Sequence, residues 1–428
     1  MSQQKMQSSP GLRGYVLFAA TLLAATAAVA EPKTNLLHQW ADGSDAAAIA
    51  KLGEMYTAAG GTWQQTPISG HTANTLAKLR ADVVSGNAPP AVQLKGPEIA
   101  EWNATGKTAN IDALAKSEGW DKVVAPELSS VMKPKGAWVA TPMNIHRVNW
   151  MWASKKAMDK AGVAALPKTW AEFNAACEKM VKAGLVCIAH GSADWTDATT
   201  FDTIVYGQDI DLYRKALVQA DVKALGSDGM VKVFEQYRKM IKWMDPGIAG
   251  RTWDAALNMM ATGKAGFFFM GDWSIGTLNA GGFKEGTDYL CTRAPVDWGD
   301  KPGYILNSDS VVFFQQKDKD YIDGQNLLAK TIMSPQFQTI FNQAKGSIPA
   351  RMDVDLSKGF NPCQQLSQKD LQASIAAGTL VRSMAHNMTV LQKYRGAMME
   401  VVTEFVNTPG MSAKDAAKQM AESVQAQQ

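Results

Sequence analysis

The sequence lacks the short motifs that mark the commonest catalytic sites. It contains no GxSxG nucleophile elbow, no HExxH helix, no Walker loop and no GxGxxG after a predicted strand. None of its histidines has a second one three or four residues away, so paired metal ligation on a helix is not indicated. Acids such as Asp353 and Asp355 are typical of a solvated surface. We therefore expect no enzymatic activity, no cofactor and no metal.

Cysteine is scarce and charge is nearly balanced. The chain has four cysteines without a CxxC pair: Cys177, Cys187, Cys291 and Cys363. Four cysteines allow three pairings, and spacing alone does not choose between them. The formal charge of +3 falls to +1 without residues 1–30, which hold two basic residues and no acid. A nearly neutral chain has no electrostatic footprint for nucleic acid, so we expect no nucleic-acid partner.

One apolar run lies near the N-terminus, and no comparable run follows it. Basic residues in Met1–Gly14 precede the apolar Tyr15–Ala30, which closes with Ala28-Val29-Ala30. This order is typical of a secretory signal peptide, here predicted for residues 1–30 with cleavage after Ala30. The run is shorter than the roughly 20 residues that span a bilayer, which disfavours a membrane anchor. Secretion also favours disulfides over free thiols.

After residue 31, short apolar segments alternate with helical patterns. Strands are predicted over 35–40 and 62–69, and the helix between them has an apolar stripe at Ile49, Leu52 and Tyr56. The same alternation resumes later in the chain. It predicts an α/β protein with a mainly parallel sheet covered on both faces. Two such units without a flexible linker suggest two lobes between which the chain crosses more than once.

Tryptophan, in contrast, is abundant. Of thirteen in the chain, six lie beside predicted loops: Trp40, Trp63, Trp195, Trp253, Trp273 and Trp298. An indole ring offers a flat apolar face to the C–H side of a sugar ring, while carboxylates, amides and lysines pair with its hydroxyls. Core packing is the commoner role for any single tryptophan. Together they favour a neutral ligand rich in hydroxyl groups.

Eight short segments of the sequence indicate which kind of protein this is. The mature chain resembles the bacterial periplasmic glucose-binding proteins of ABC importers, within the family that includes maltodextrin-binding protein. The resemblance lies in eight strings in family order: His38–Trp40, Leu94–Glu98, Pro142–Trp150, Thr169–Phe173, Met270–Trp273, Asn307–Ser310, Lys345–Pro349 and Ser383–Asn387. Each string is weak alone, and their common order is the strong signal.

The resemblance implies a two-lobed periplasmic-binding-protein fold with three hinge crossings and an interlobe cleft. The crossings are expected near Asn144, near Tyr304–Asn307 and near Gly346–Pro349. Lobe one would then combine 31–144 with about 307–345, and lobe two about 145–306 with 346–428. The resemblance also suggests a Cys291–Cys363 disulfide within lobe two, with Cys177–Cys187 as a plausible second bridge.

The resemblance further implies a sugar site at the cleft. Eight residues are expected to bind the sugar: Trp40, Asp45 and Lys95 from one lobe, Asn307, Asp309 and Lys345 at its hinge side, and Trp273 and His386 from the other lobe. The tryptophans would cover ring faces, and the polar groups would pair with hydroxyls. Two positions depart from glucose-binding relatives, because Gln39 replaces a tryptophan and Asp45 replaces a glutamate.

These features lead to one functional hypothesis and two alternatives. The hypothesis is a monomeric periplasmic receptor that closes around glucose or a related aldohexose and delivers it to the membrane subunits of an ABC importer. The first alternative is a receptor for a short oligosaccharide or glycoside, since loss of one tryptophan would open the pocket. The second is a secreted carbohydrate-active enzyme, which requires two carboxyl groups about 5–10 Å apart across the scissile bond.

Overall fold

The structure, a computed structural model, describes residues 1–2, 31–41, 43–69 and 71–428. The predicted signal peptide therefore lies, from residue 3 onward, outside the described residues. The strands are β1 Lys33–His38, β2 Thr62–Pro67, β3 Ala91–Leu94, β4 Ala140–Pro142, β5 His146–Arg147, β6 Trp150–Ser154, β7 Val186–Ala189, β8 Ala265–Phe269, β9 Tyr289–Arg293, β10 Tyr304–Asn307, β11 Ser310–Phe313 and β12 Leu380–Arg382.

Helices connect most of these strands. They are α1 Gly43–Ala58, α2 His71–Val84, α3 Gly96–Ala104, α4 Asp112–Ser117, α5 Pro126–Met132, α6 Lys155–Ala161, α7 Trp170–Lys182, α8 Asp194–Gln208, α9 Ile210–Tyr213, α10 Val222–Leu225, α11 Asp228–Lys242, α12 Trp253–Ala261, α13 Ser274–Ala280, α14 Lys319–Met333, α15 Pro335–Lys345, α16 Pro362–Ala377, α17 Gln392–Asn407 and α18 Ala413–Gln425. Within the described part of the chain, no helix has the length and apolarity needed to cross a membrane.

The first sheet has the strand order β2-β1-β3-β11-β4. Strand β1 lies parallel to β2 and β3, with Leu36 opposite Ala91. Strand β11 runs antiparallel to β3 and β4. Helix α14 approaches β1 so closely that a Cβ at Gly324 would lie 2.0 Å from the carbonyl oxygen of Lys33. Only glycine fits at that contact.

The second sheet has the order β7-β8-β6-β9 and receives helix α7. Thr169 caps this helix, because its Oγ1 accepts from the backbone N–H of Glu172 at 3.2 Å and the Glu172 carboxylate accepts from the backbone of Thr169. The cap sets the start of the helix. Trp170 and Phe173 then pack on Phe269 of β8, with ring centroids 5.9 and 5.2 Å away.

The prediction of mainly parallel sheets is wrong, because the pairing is mixed. Strand β6 in the second sheet, like β11 in the first, runs antiparallel to both of its neighbours. A parallel strand needs a long crossover, usually a helix. Strand β11 instead follows β10 after only Ser308 and Asp309, and β6 follows β5 after only Val148 and Asn149. Both strands enter directly from a third sheet, without a crossover helix.

That third sheet is small, with the order β12-β10-β5. Asn307 of β10 lies opposite His146 of β5 in an antiparallel pair. The fully buried Arg147 fixes the surroundings, since its guanidinium donates to Asp370 at 2.6 Å and to the carbonyl oxygen of Gly303 at 2.9 Å. The sheet therefore ties together two segments that were predicted as crossings.

The buried apolar side chains form two cores within the unit Glu31–Gln428. The first core draws on β1, β3, β4 and β11, and the second on β6, β7 and β8. Along the chain the core changes from the first to the second between Ile145 and Val148, returns to the first between Ala294 and Leu306, and passes to the second again between Phe360 and Cys363. Side chains from Ile348 to Phe360 thus pack in the first core. The predicted lobe ranges themselves stay predictions.

Two disulfides join elements of the second core. Cys177 of α7 is bonded to Cys187 of β7, with Cα atoms 5.1 Å apart, and Cys291 of β9 is bonded to Cys363 of α16, at 6.0 Å. Cys291–Cys363 is the pairing that the family resemblance suggests, and Cys177–Cys187 is the second bridge that the sequence left open. The second bridge closes a chain segment of 72 positions, against 10 for the first.

The difference in loop length predicts unequal contributions to stability. A crosslink across a longer segment removes more conformational entropy from the unfolded chain. We expect Cys291→Ser with Cys363→Ser to lower the free energy of unfolding by about 2–5 kcal/mol, and Cys177→Ser with Cys187→Ser to lower it less. Urea unfolding of both double variants beside the native chain checks this. Equal urea midpoints for the two double variants, or a lower midpoint for the variant without Cys177 and Cys187, would contradict it.

Candidate functional site

Asp309 is a buried carboxylate at the turn between β10 and β11. Its Oδ1 atom accepts from Lys95 Nζ at 2.6 Å and from Gln93 Nε2 at 3.3 Å. Its Oδ2 atom accepts from Asn144 Nδ2 at 2.9 Å and lies 3.2 Å from His146 Nε2. Burial favours the neutral acid, but the charge of Lys95 and the contact with His146 hold the pKa of Asp309 well below its usual range. Asp309 is therefore ionised, and its roughly four lone-pair positions are all in use.

The local sequence fixes the turn that carries Asp309. The side-chain oxygen of Asn144 accepts from the backbone N–H of Asp309 at 2.8 Å. Ser308 Oγ donates in turn to the backbone carbonyl oxygen of Asn144 at 2.7 Å. Residues 144 and 308–309 are thus clamped to each other, although they are far apart in sequence.

His146 lies between two carboxylates. Its Nε2 faces Asp309, and its Nδ1 contacts Asp272 Oδ1. The other oxygen of Asp272 accepts from the backbone N–H of Arg147 at 2.9 Å. Burial acts to lower the pKa of His146, but the two negative neighbours outweigh it and raise the pKa. His146 links the turn at 309 to the loop at 272.

Aromatic rings pack beside this link. The ring centroid of Trp273 lies 5.4 Å from that of His146 and 5.0 Å from that of His386. Trp195 of α8 lies 6.3 Å from both Trp273 and His386. His386 Nδ1 contacts Ser383 Oγ at 3.0 Å, whereas its Nε2 is buried with no hydrogen-bond partner among the described residues. The Nε2 atom is thus available to a ligand.

Lys345, the last residue of α15, forms a second group with Trp40 and Asp45. Its ammonium group is paired with Asp45 and lies 5.1 Å from the ring centroid of Trp40. Gly346 ends the helix with φ of 86°, and a Cβ there would lie 2.5 Å from the carbonyl oxygen of Asp272. Glycine therefore allows the end of α15 to meet the loop that carries Asp272.

The structure brings the predicted residues into two adjoining groups. Lys95, Asp309, Trp273 and His386 are connected through His146. Trp40, Asp45 and Lys345 form the other group, and the charge of Lys345 still acts on Asp309. Asn307 lies opposite His146 in the third sheet, and its Oδ1 is buried without a hydrogen-bond partner among the described residues.

Four residues of this network were absent from the predicted set: Gln93, Asn144, His146 and Asp272. His146 and Asn144 lie in one of the family strings, and Asp272 directly precedes Trp273. Their position beside predicted site residues was the available signal. They contact other protein groups in the network, which residue type alone does not reveal.

The half-buried ring of His386 predicts a specific pH dependence of stability. Burial, assisted by the charge of Lys95, lowers the pKa of His386 well below 6.5. Below pH 6.5 the unfolded chain thus binds a proton that the folded chain refuses, so stability falls as the pH drops. Between pH 7 and 5.5, His386→Gln should lose about 1 kcal/mol less unfolding free energy than the native chain. Urea titrations at both pH values test this, and parallel losses would contradict it.

Comparison with known proteins gives the family of this chain. Residues 67–366 match the family model of the bacterial extracellular solute-binding proteins. A "probable sugar-binding periplasmic protein" of Rhizobium meliloti (strain 1021) is 38% identical over 409 residues, which cover 95% of this chain and 97% of that relative.

Solved structures share the fold at low sequence identity. A chitin oligosaccharide binding protein superposes with a TM-score of 0.80 at 16% identity, over 92% of this chain and 98% of that one. The bacterial solute receptor AcbH, described as preferring β-D-galactopyranose, gives 0.74 at 18% identity, over 93% and 99%. The fold is accordingly the two-lobed α/β fold of solute-binding proteins. The chain belongs to the bacterial extracellular solute-binding protein family.

Proposed function

We propose that this protein is the periplasmic sugar receptor of an ABC importer and that it binds one monosaccharide, glucose or a related aldohexose, without transforming it. The observation that carries the proposal is the cluster of the buried Lys95 and Trp273 with the half-buried His386, assembled from three distant segments. A sugar ring needs an apolar face and groups that both donate and accept hydrogen bonds. The cluster offers both.

Specific atoms remain available to such a ligand. Asn307 Oδ1 and His386 Nε2 are buried polar atoms without a hydrogen-bond partner among the described residues. Each of the ammonium groups of Lys95 and Lys345 has three donors, of which the paired carboxylate uses one. Trp273 and Trp40 supply ring faces. Because the lone pairs of Asp309 are already in use, we propose that it mainly holds Lys95 in place.

The relatives support the class of ligand and the compartment. The Rhizobium relative, 38% identical over nearly the whole chain, carries a name that specifies sugar binding and the periplasm. Membership of the solute-binding family supports a partnership with the membrane subunits of an importer. The structural neighbours are too distant in sequence to indicate which sugar binds.

We propose that binding works by lobe closure. The crossings near Asn144 and Tyr304–Asn307 would form the hinge together with the third sheet, and the two cores would belong to the two lobes. A ligand that contacts both lobes binds the closed form better and so shifts the population toward it. No bond is made or broken in this cycle.

The ammonium group of Lys345 provides the sharpest test of the site. Lys345→Met removes its donors but leaves Asp45, whose side chain is 34% exposed, accessible to water. We expect sugar affinity to fall tenfold or more, because the hydroxyl loses a charged partner. Isothermal titration against a panel of aldohexoses, pentoses and short oligosaccharides measures this. Lys155→Met, in an exposed pair with Asp159, is the matched control. Equal affinities of the two variants would contradict the assignment.

Trp273 predicts a different response in the same panel. A ring face contributes packing area and does not distinguish hydroxyl patterns, so Trp273→Ala should weaken all bound sugars by a similar factor, about tenfold. Small-angle scattering of the native chain should show compaction with the sugars that bind.

Two other outcomes would change the proposal. If an oligosaccharide binds most tightly, the pocket is the wider one expected from Gln39. If the protein hydrolyses glycosides, the receptor proposal is overturned.

A further inference from the structure

A small cavity lined by both polar and apolar side chains adjoins Lys95 between α2 and the start of α3. Its polar lining consists of Gln39, Thr72, Thr75, Gln93, Lys95 and Glu98. The cavity volume is about 10 Å³, which suits one group of the size of a water molecule and excludes a sugar ring. Lys95 and Gln93 of the lining also contact Asp309, so the cavity lies beside the proposed sugar site.

Two polar atoms of the cavity lining have no partner. Thr75 and Glu98 are 2% and 1% exposed, and neither Thr75 Oγ1 nor Glu98 Oε2 has a hydrogen-bond partner among the described residues. The other carboxyl oxygen of Glu98 accepts from Asn387 Nδ2 at 2.7 Å, which fixes the orientation of the group. Buried polar atoms are nearly always hydrogen-bonded. Two exceptions in one cavity therefore indicate a place for a partner from outside the chain.

Most of the remaining polar groups of the lining are already engaged. Gln93 accepts from the backbone N–H of Gln39 at 3.1 Å and donates to Asp309. The side-chain oxygen of Gln39 accepts from Thr72 Oγ1 at 2.8 Å. Thr75, Glu98, the side-chain amide nitrogen of Gln39 and the spare donors of Lys95 are left for a ligand.

The charge of Lys95 decides which ligand group fits. A cationic amine in this volume would be repelled by the ammonium group of Lys95 and attracted by Glu98 only while that carboxyl is ionised, and burial raises the pKa of Glu98 to about 7. A neutral hydroxyl can donate to Glu98 Oε2 and accept from Thr75 Oγ1 or Lys95 Nζ. We propose that Thr75 and Glu98 form a subsite that binds a single hydroxyl group of the sugar and thereby sets specificity. This inference rests on the proposed function of the chain as a sugar receptor.

The subsite is tested with deoxy sugars, since each analogue lacks one hydroxyl. Calorimetry compares the aldohexose that the native chain binds best with its monodeoxy analogues. The native chain should bind one analogue about tenfold more weakly through loss of this contact. In Thr75→Val and in Glu98→Gln the parent sugar should weaken by about the same factor, and the penalty for that one analogue should shrink. Penalties for the other analogues should stay as in the native chain.

Matched variants separate this outcome from a loss of structure. Glu101→Gln changes an exposed carboxylate on the same helix and should bind all sugars like the native chain. Thr75→Val leaves the bond between Glu98 and Asn387 in place, and thermal unfolding verifies that it folds. Equal loss of affinity for every analogue, or an unchanged penalty pattern, would overturn the subsite while the receptor function stands. Failure of the native chain to bind any sugar would defeat the proposed function itself.

Discussion

The ionised carboxylate of Asp309 is the constraint on which the rest of the site depends. Removing such a charge from water costs several kcal/mol unless it is paired and hydrogen-bonded on all sides. The chain meets this requirement with groups from three places, Lys95 after β3, Asn144 before β5 and His146 in β5. The carboxylate therefore determines how these segments must meet. It also explains why the turn at residues 308–309 is short and clamped.

From Asp309 a sequence of alternating charges continues toward the second core. His146 connects Asp309 to Asp272, and the backbone of Arg147 donates to Asp272. The side chain of Arg147 then pairs with Asp370 at 2.6 Å. Because each member neutralises its neighbours, none can shift far without leaving a buried charge unpaired. The network thus gives a physical reason why these buried charges stay paired where the chain passes between the two cores.

The element types could be predicted from the sequence, but their pairing could not. Apolar periodicity located the helix at Ile49, Leu52 and Tyr56 and the buried strands on either side of it. Apolar periodicity does not reveal in which direction β11 and β6 run, because that direction depends on their short connections to the third sheet. Those connections are two-residue turns. They fix the directions of β6 and β11 only once it is known that β5 and β10 pair.

The same holds for the site: the kinds of side chain could be predicted from the sequence, but their hydrogen-bond partners could not. Lys95, Trp273 and His386 were predicted from the family strings, and their side chains are of kinds that contact sugars. His146 and Asn144 stayed outside that set. The sequence does not show whether a histidine or an asparagine in a buried segment only packs or also forms hydrogen bonds to a distant group. Their roles depend on Asp309, which is more than 160 positions away. A single sequence does not report such long-range pairs.

The engagement of the carboxylates also bears on catalysis. A glycosidase needs one carboxyl group that can give up a proton and a second that is free to act as nucleophile or base. Asp309 is held ionised by Lys95 and has its lone pairs in use, and Asp272 is tied to His146 and to the backbone of Arg147. Asp309, held in this way, changes neither its protonation state nor its position at low cost, whereas burial raises the pKa of Asp272. These two carboxylates can still hold Lys95 and the ring of Trp273 in position to contact a ligand. Asp309 therefore suits reversible recognition better than proton transfer.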